Sequence, residues 1–285
     1  MKIGMRIPGA ARELSLPDLC AWCREAGFDG IDVGPMTDEI KQTVDAAGLE
    51  IGTSDLPGLA GLFGTVEEAA AAVIGAKAAI DAAADRGVHR LFTTLITRDG
   101  SRGRAAAFAR IKETLGPVVQ HAEARGCRIA IEGWPGGAPW YPALAATPET
   151  ARALFEAFPS KALGINYDPS HLIRIGVDHL RFLREFRNRV VHVHGKDALI
   201  DQEALYLHGT LGPSLHEPVG WSEGWWRYTI PGEGQADWAA ICADLDAAHF
   251  DGFISVELED FRYRGNWPLE AEGLKRSRRH LALYA

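Results

Sequence analysis

The stretch Leu163-Gly164-Ile165-Asn166-Tyr167-Asp168-Pro169-Ser170-His171 reads as a short strand that ends on an acid, with a histidine one turn further on. Similar β-branched runs recur on both sides of it, separated by alanine-rich helical stretches, the pattern of βα units around a parallel sheet. Strands are predicted over residues 2–6, 30–33, 50–54, 90–95, 128–132, 163–168, 190–194 and 253–257. Eight such units in 285 residues, against about 250 for a typical barrel of this kind, predict one (β/α)8 barrel spanning residues 1–285.

Local signals support the helices between these strands. Thr65 and Glu68 are spaced as a capping box, Thr147-Pro148 places a cap before a first-turn proline, and Asp237 can cap a helix beginning near Trp238. Gly27, Gly48, Gly87 and Gly126 each fall at a helix end, where a left-handed residue costs glycine little. Cys20 and Cys23 form a C-x-x-C pair, but with Leu16 and Leu19 they recur at i, i+3, i+4, i+7, which puts both thiols on an apolar helix stripe rather than in a redox or zinc motif.

One connection stands apart. Residues 198–237, after the seventh strand, carry Trp221, Trp225, Trp226, Arg227 and Tyr228 among several glycines, and loops of that length tend to be functional. The segment is expected to lie over the barrel mouth. Its aromatic residues either pack the insertion onto the barrel or a second subunit, or form a lid that stacks on a sugar face.

Composition excludes several classes. The chain is 47% hydrophobic and 24% charged, so it can build an ordinary globular core. Thirty-eight acidic against 30 basic residues give a net charge of -8, which disfavours nucleic acid and anionic lipid as partners. No apolar run reaches the roughly 18 residues of a membrane helix, and the start, MKIGMRIPGAARE, has no secretion-signal core, so a cytoplasmic protein is expected.

Barrels of this kind carry their chemistry at the C-terminal strand ends. The last four predicted strands end in Glu132, Asp168, His194 and Glu257. With period-two alternation these residues share a face with Ala130, Asn166, His192 and Ser255, while the intervening Ile and Val residues face the helix ring. Three carboxylates converging in a barrel mouth repel one another unless a cation neutralises them. Three oxygen donors and one imidazole suit Mn²⁺, with Mg²⁺ or Co²⁺ as alternatives, better than a closed thiolate zinc site. His171 and Lys196 can overhang the same place, one donating to a substrate oxygen and the other stabilising charge on it. His192, one layer below, reads as a supporting or core histidine.

Taken together, IEGW at Glu132 and Trp134, YDPSH at Asp168 and His171, HVHGKD at His194 and Lys196, IPGEGQADW at 230–238 and GFISVELED around Glu257 resemble the xylose-isomerase-like TIM barrels, the sugar phosphate isomerase/epimerase superfamily that includes ketose 3-epimerases. The resemblance covers essentially the whole chain. It implies that Glu132, Asp168, His194 and Glu257 hold one divalent metal, that His171 contacts substrate, and that the two glutamates act as bases on opposite faces of a sugar; Trp134 is expected to bind substrate as well. The family's arginine shortly after the metal histidine is missing here, where Ala198, Leu199 and Ile200 stand, so Lys196 or Arg227 is expected to supply that grip.

The expected activity is that of a metal-dependent sugar isomerase or epimerase, which abstracts a proton beside a carbonyl to give a metal-held enediolate. The alternative is a lyase or hydratase that expels a β-substituent of a keto-sugar, keto-glycoside or keto-inositol from the same intermediate. A nuclease is disfavoured by the charge and by the lack of any Asp-x-His, and a non-catalytic sugar-binding protein by the intact ligand set. Glu233 and Asp237 flank the place where barrels often bind phosphate, so a neutral sugar is expected, with a homo-oligomer as a further expectation from the aromatic loop.

Overall fold

Short apolar strands alternating with amphipathic helices can bury both sheet faces by closing the sheet on itself and ringing it with the helices. The computed structural model, which describes residues 1–97 and 99–285, has this form. Its barrel strands are β1 (Lys2–Arg6), β2 (Gly30–Val33), β3 (Glu50–Asp55), β4 (Arg90–Thr94), β5 (Arg128–Glu132), β6 (Leu163–Tyr167) and β7 (Val190–Gly195). After the insertion strands β8 (Asp197–Ile200) and β9 (Trp226–Thr229), β10 (Phe253–Val256) completes the barrel. The closed order is β1-β10-β7-β6-β5-β4-β3-β2, so β10 joins the seventh strand to the first, and every barrel pairing is parallel. Asp168 and Glu257 sit one residue beyond their ladders, where the chain has begun to turn outward.

The predicted helix signals are present. Thr65 and Glu68 close a capping box on the helix Val66–Ala84, Thr147 caps Pro148–Ala157, and Asp237 accepts from the Ala240 N–H at the start of Trp238–Ala247. Gly27, Gly48, Gly87 and Gly126 all have positive φ. Among the described residues no helix is long and apolar enough to cross a membrane.

The barrel axis is polar at its middle layer. Asp32 Oδ2 lies 2.9 Å from His192 Nε2, and Asp32 Oδ1 accepts from the Thr53 N–H at 2.9 Å. Gly52 makes room for this pair, since a Cβ there would sit 2.3 Å from Asp32 Oδ1.

All four cysteines are unpaired and buried. Burial pushes the Cys23 thiol up to about 12 and that of Cys242 to about 11, so at pH 8 these groups are protonated thiols and poor nucleophiles. The native protein should therefore give essentially no reaction with a disulfide reagent such as DTNB at pH 8 and four equivalents after unfolding. A fast-reacting native thiol would contradict the packing described.

The insertion is not a bare loop. β8 and β9 form an antiparallel ribbon, with the helix Gln202–His208 in the connection between them, and Trp225, Trp226 and Tyr228 are buried with Ile173 and Ala198 in a small core of their own. Of the two readings of these aromatics, packing describes Trp225 and Trp226; Trp221 is 55% exposed. Asp197 ties the segment down by accepting from the N–H groups of Ala198, Gly232 and Ala236 and from the Trp238 indole at 2.8–3.3 Å.

Candidate metal centre

Parity along β5 and β7, and the turns that end β6 and β10, bring Glu132, Asp168, His194 and Glu257 to one point at the mouth. One donor atom from each lies within 4.8 Å of every other. His194 Nδ1 is 2.7 Å from Glu132 Oε1, 3.2 Å from Glu257 Oε2 and 3.9 Å from Asp168 Oδ2. Glu132, Asp168 and His194 are buried, and Glu257 is nearly so.

Each carboxylate is aimed by a neighbour. Asp168 caps the short helix Pro169–Ile173, with Oδ1 accepting from the Ser170 N–H at 2.9 Å and the Ser170 hydroxyl at 2.6 Å. Its other oxygen, Oδ2, is buried with no hydrogen bond and faces the shared centre. Asn166 donates to Glu132 Oε1 at 2.9 Å. His194 Nδ1 also makes no hydrogen bond of regular geometry, although Glu132 Oε1 and Glu257 Oε2 lie close to it. Buried polar atoms without partners are expensive. Here they point at one place, as donor atoms around a cation do.

The charge balance leads to the same reading. Burial opposes a charged His194, yet Glu257 and Glu132 outweigh it and raise its pKa to about 10. Burial and mutual repulsion would raise the two glutamates, but His194 holds both below the usual carboxylate range, with Lys196 adding to the effect at Glu257. Lys196 itself is 1% exposed. It donates to Glu257 Oε2 and, at 2.8 Å, to Glu259 Oε2, and lies 3.2 Å from Asp168 Oδ2 and 3.3 Å from His171 Nε2. A buried cluster that draws in a proton and an ammonium to balance its acids is suited to a divalent ion in their place. The donor set, three oxygens and one imidazole nitrogen, fits such an ion.

His171 faces the cluster through Nε2, 3.4 Å from Asp168 Oδ2, while its Nδ1 is 2.9 Å from the Tyr228 hydroxyl. Trp134, two residues past Glu132, is 39% exposed at the rim. Arg227 is not brought to the site. It neighbours Tyr228 on β9, so alternation turns it to the opposite face, where its guanidinium lies 5.8 Å from the Phe261 ring. Four residues that the sequence reading overlooked do reach the site. Tyr228 steadies His171, Glu259 shares the Lys196 ammonium, Arg6 places Nε 3.4 Å from Glu257 Oε1, and Phe92 lies with its ring centroid 5.1 Å from that of His194. Glu259 was the most accessible of these, being two residues from Glu257 on the same parity.

Comparison with known proteins agrees with the fold. The sequence model of the xylose isomerase-like TIM barrel family matches residues 20–283. An uncharacterized protein, YfiH, of Bacillus subtilis is 32% identical over 147 residues, which are 50% of this chain and 44% of that protein. An inosose dehydratase of Geobacillus thermodenitrificans is 32% identical over 113 residues, 40% of this chain and 36% of the enzyme. The matched stretch thus spans less than half the length of these curated relatives. Among solved structures, a D-psicose 3-epimerase of Clostridium cellulolyticum H10 superposes with a TM-score of 0.74 at 13% identity, covering 100% of this chain and 99% of the other. At that identity the likeness is one of fold.

Proposed function

The chain belongs to the xylose isomerase-like TIM barrel family, and from that premise we propose that it is a divalent-metal-dependent sugar isomerase or epimerase that moves a proton beside a carbonyl. The observation that carries this reading is the convergence of three carboxylates and His194 Nδ1 within 4.8 Å, two of the donor atoms being buried without hydrogen bonds. Glu132, Asp168, His194 and Glu257 would hold the ion, and Mn²⁺, Mg²⁺ or Co²⁺ suits such a set. When bound it would polarise a substrate carbonyl and acidify the neighbouring C–H.

The remaining steps belong to side chains of this protein. Glu132 ends β5 and Glu257 directly follows β10, the two outer strands of the four-strand arc β10-β7-β6-β5, so their carboxylates approach the centre from opposite sides. One takes the proton from the carbon beside the carbonyl, and the bonding pair moves toward the carbonyl oxygen. Return of a proton by the other carboxylate to the opposite face of that carbon gives the epimer; return at the former carbonyl carbon, with the neighbouring hydroxyl proton passing to the old carbonyl oxygen, gives the isomer. His171 Nε2 and the Lys196 ammonium are the donors that would meet substrate oxygens.

Tyr228 holds His171 in this orientation. Tyr228→Phe should therefore lower kcat/KM about tenfold and Tm by a few degrees, since His171 Nδ1 is left buried without its partner while no cavity forms. Unchanged kinetics would remove His171 and Tyr228 from the site.

The substrate is a small carbohydrate. Against a phosphorylated one stands Asp197, whose carboxylate already fills the backbone N–H cradle at Gly232 and Ala236. The proposal is tested by incubating the metal-loaded protein with a panel of ketoses in D₂O and following the C–H beside the carbonyl by NMR. Solvent deuterium should enter there, and a panel that shows no exchange speaks against the reading.

A second reading, loss of a β-hydroxyl from the same deprotonated intermediate, is favoured by the matched inosose dehydratases and by Lys196, an ammonium placed beside Glu257 where a departing hydroxyl would need a proton. Loss of water from a keto-inositol, seen as a new C–H pattern by NMR, would select it.

A further inference from the structure

Beside the metal centre, over the ends of β1–β4, opens a pocket of about 400 Å³, within the range of small-molecule sites. Arg6 and Asp55 form its polar floor with Thr94, and Pro35, Pro57 and Ile96 contribute apolar wall. Two of its lining residues also lie against the centre. Arg6 Nε lies 3.4 Å from Glu257 Oε1, and Phe92 stands against the His194 ring. A substrate whose reacting carbon is at the centre can reach this space past Arg6 and Phe92.

A guanidinium in a sugar site usually signals an anionic substrate. Arg6 is already committed. NH1 and NH2 donate side by side to the two oxygens of Asp55 at 3.0 and 3.4 Å, Nε faces Glu257, and the guanidinium carbon lies 4.3 Å from the Phe92 ring centre. No edge of the fork remains for a phosphate or carboxylate. The Asp55 side chain is 32% exposed, so its lone pairs stay open to the pocket, where they repel an anion and accept from hydroxyls.

Resting on the proton-transfer reading, we propose that this pocket is the subsite for the part of the substrate remote from the reacting carbon. Asp55, held by Arg6, there selects an uncharged, hydroxyl-bearing group against a carboxylate or phosphate. The apolar wall takes the C–H face of that group while its hydroxyls turn to the floor. Asp55 acts directly on the ligand, and Arg6 is its positioning residue.

The test is calorimetric binding to the manganese-loaded protein, with myo-inositol and D-fructose as neutral probes and D-glucuronate and D-fructose 6-phosphate as anionic ones. The neutral pair should bind at least about tenfold more tightly. Asp55→Asn should weaken the neutral pair about tenfold through loss of charge-assisted hydrogen bonds and narrow the gap to the anions. Pro57→Trp, at an exposed position on the pocket wall, should weaken all four by filling the space, so the test survives if the first variant does not fold. Anions binding as tightly as neutral probes, no binding by any probe, or unchanged affinities in both variants would overturn the proposal. Binding needs no turnover, which separates the two claims. Selective binding without deuterium exchange sinks the proton-transfer reading alone, and exchange with unaltered binding in the variants sinks the subsite alone.

Discussion

Stripping divalent metal from the protein with a chelator should abolish turnover and lower Tm by about 5–10 °C, and one equivalent of Mn²⁺ or Co²⁺ per chain should restore both. The size follows from linkage. An ion held at 100 times its dissociation constant stabilises the native state by about 2.7 kcal/mol, and a domain of this size gains about 2–4 °C per kcal/mol. The sign follows from the site, because Glu132, Asp168 and Glu257 surround His194 Nδ1 at 2.7–3.9 Å and repel one another when no cation sits among them. Asp168→Asn is the discriminating variant. Asparagine keeps the helix cap that Asp168 provides to Ser170, so the fold should persist, while the charge facing the centre is lost. Metal content by mass spectrometry should fall from one ion per chain toward none, with a Tm like that of the stripped wild type. A wild-type chain that retains no ion after incubation with excess Mn²⁺ and dialysis would end the metal reading.

The second large effect concerns the two glutamates. Glu132→Gln and Glu257→Gln should each lower overall turnover by about 10²–10⁴, the range for losing a positioned general base. They should differ in which substrate epimer still exchanges its proton with D₂O. Because the carboxylates approach from opposite sides of the arc, removing one leaves exchange at the hydrogen facing the other. Metal content is measured alongside, so that loss of the ion is not read as loss of a base. Identical residual exchange for both epimers in both variants would show that one residue serves both faces.

The sequence made much of this legible, for physical reasons that can be named. Thr65 and Glu68 satisfy each other's backbone groups within one turn, and the glycines at 27, 48, 87 and 126 meet a local demand for positive φ, so neither needed tertiary information. The cluster could be foreseen because alternation along a strand fixes the side on which a residue lies, and Glu132, Asp168, His194 and Glu257 come at or just past strand ends. Arg227 shows where such reasoning fails. Its place in the insertion was read correctly, but its side of β9 depended on how that ribbon seats against Ile173 and Ala198, which turned Tyr228 inward instead.

The chain by itself determined eight βα units, a polar mouth on the last four strands and a donor set suited to a divalent ion, because capping, period-two alternation and like-charge repulsion operate over a few residues or within one strand. Closure decided the rest. Only when β10 pairs with β1 does Arg6 meet Glu257, and only when β3 lies two strands away does Asp55 take hold of Arg6 and floor the second pocket. Those neighbours are set by the circumference of the barrel and the packing of its helices, and no spacing along the sequence encodes them.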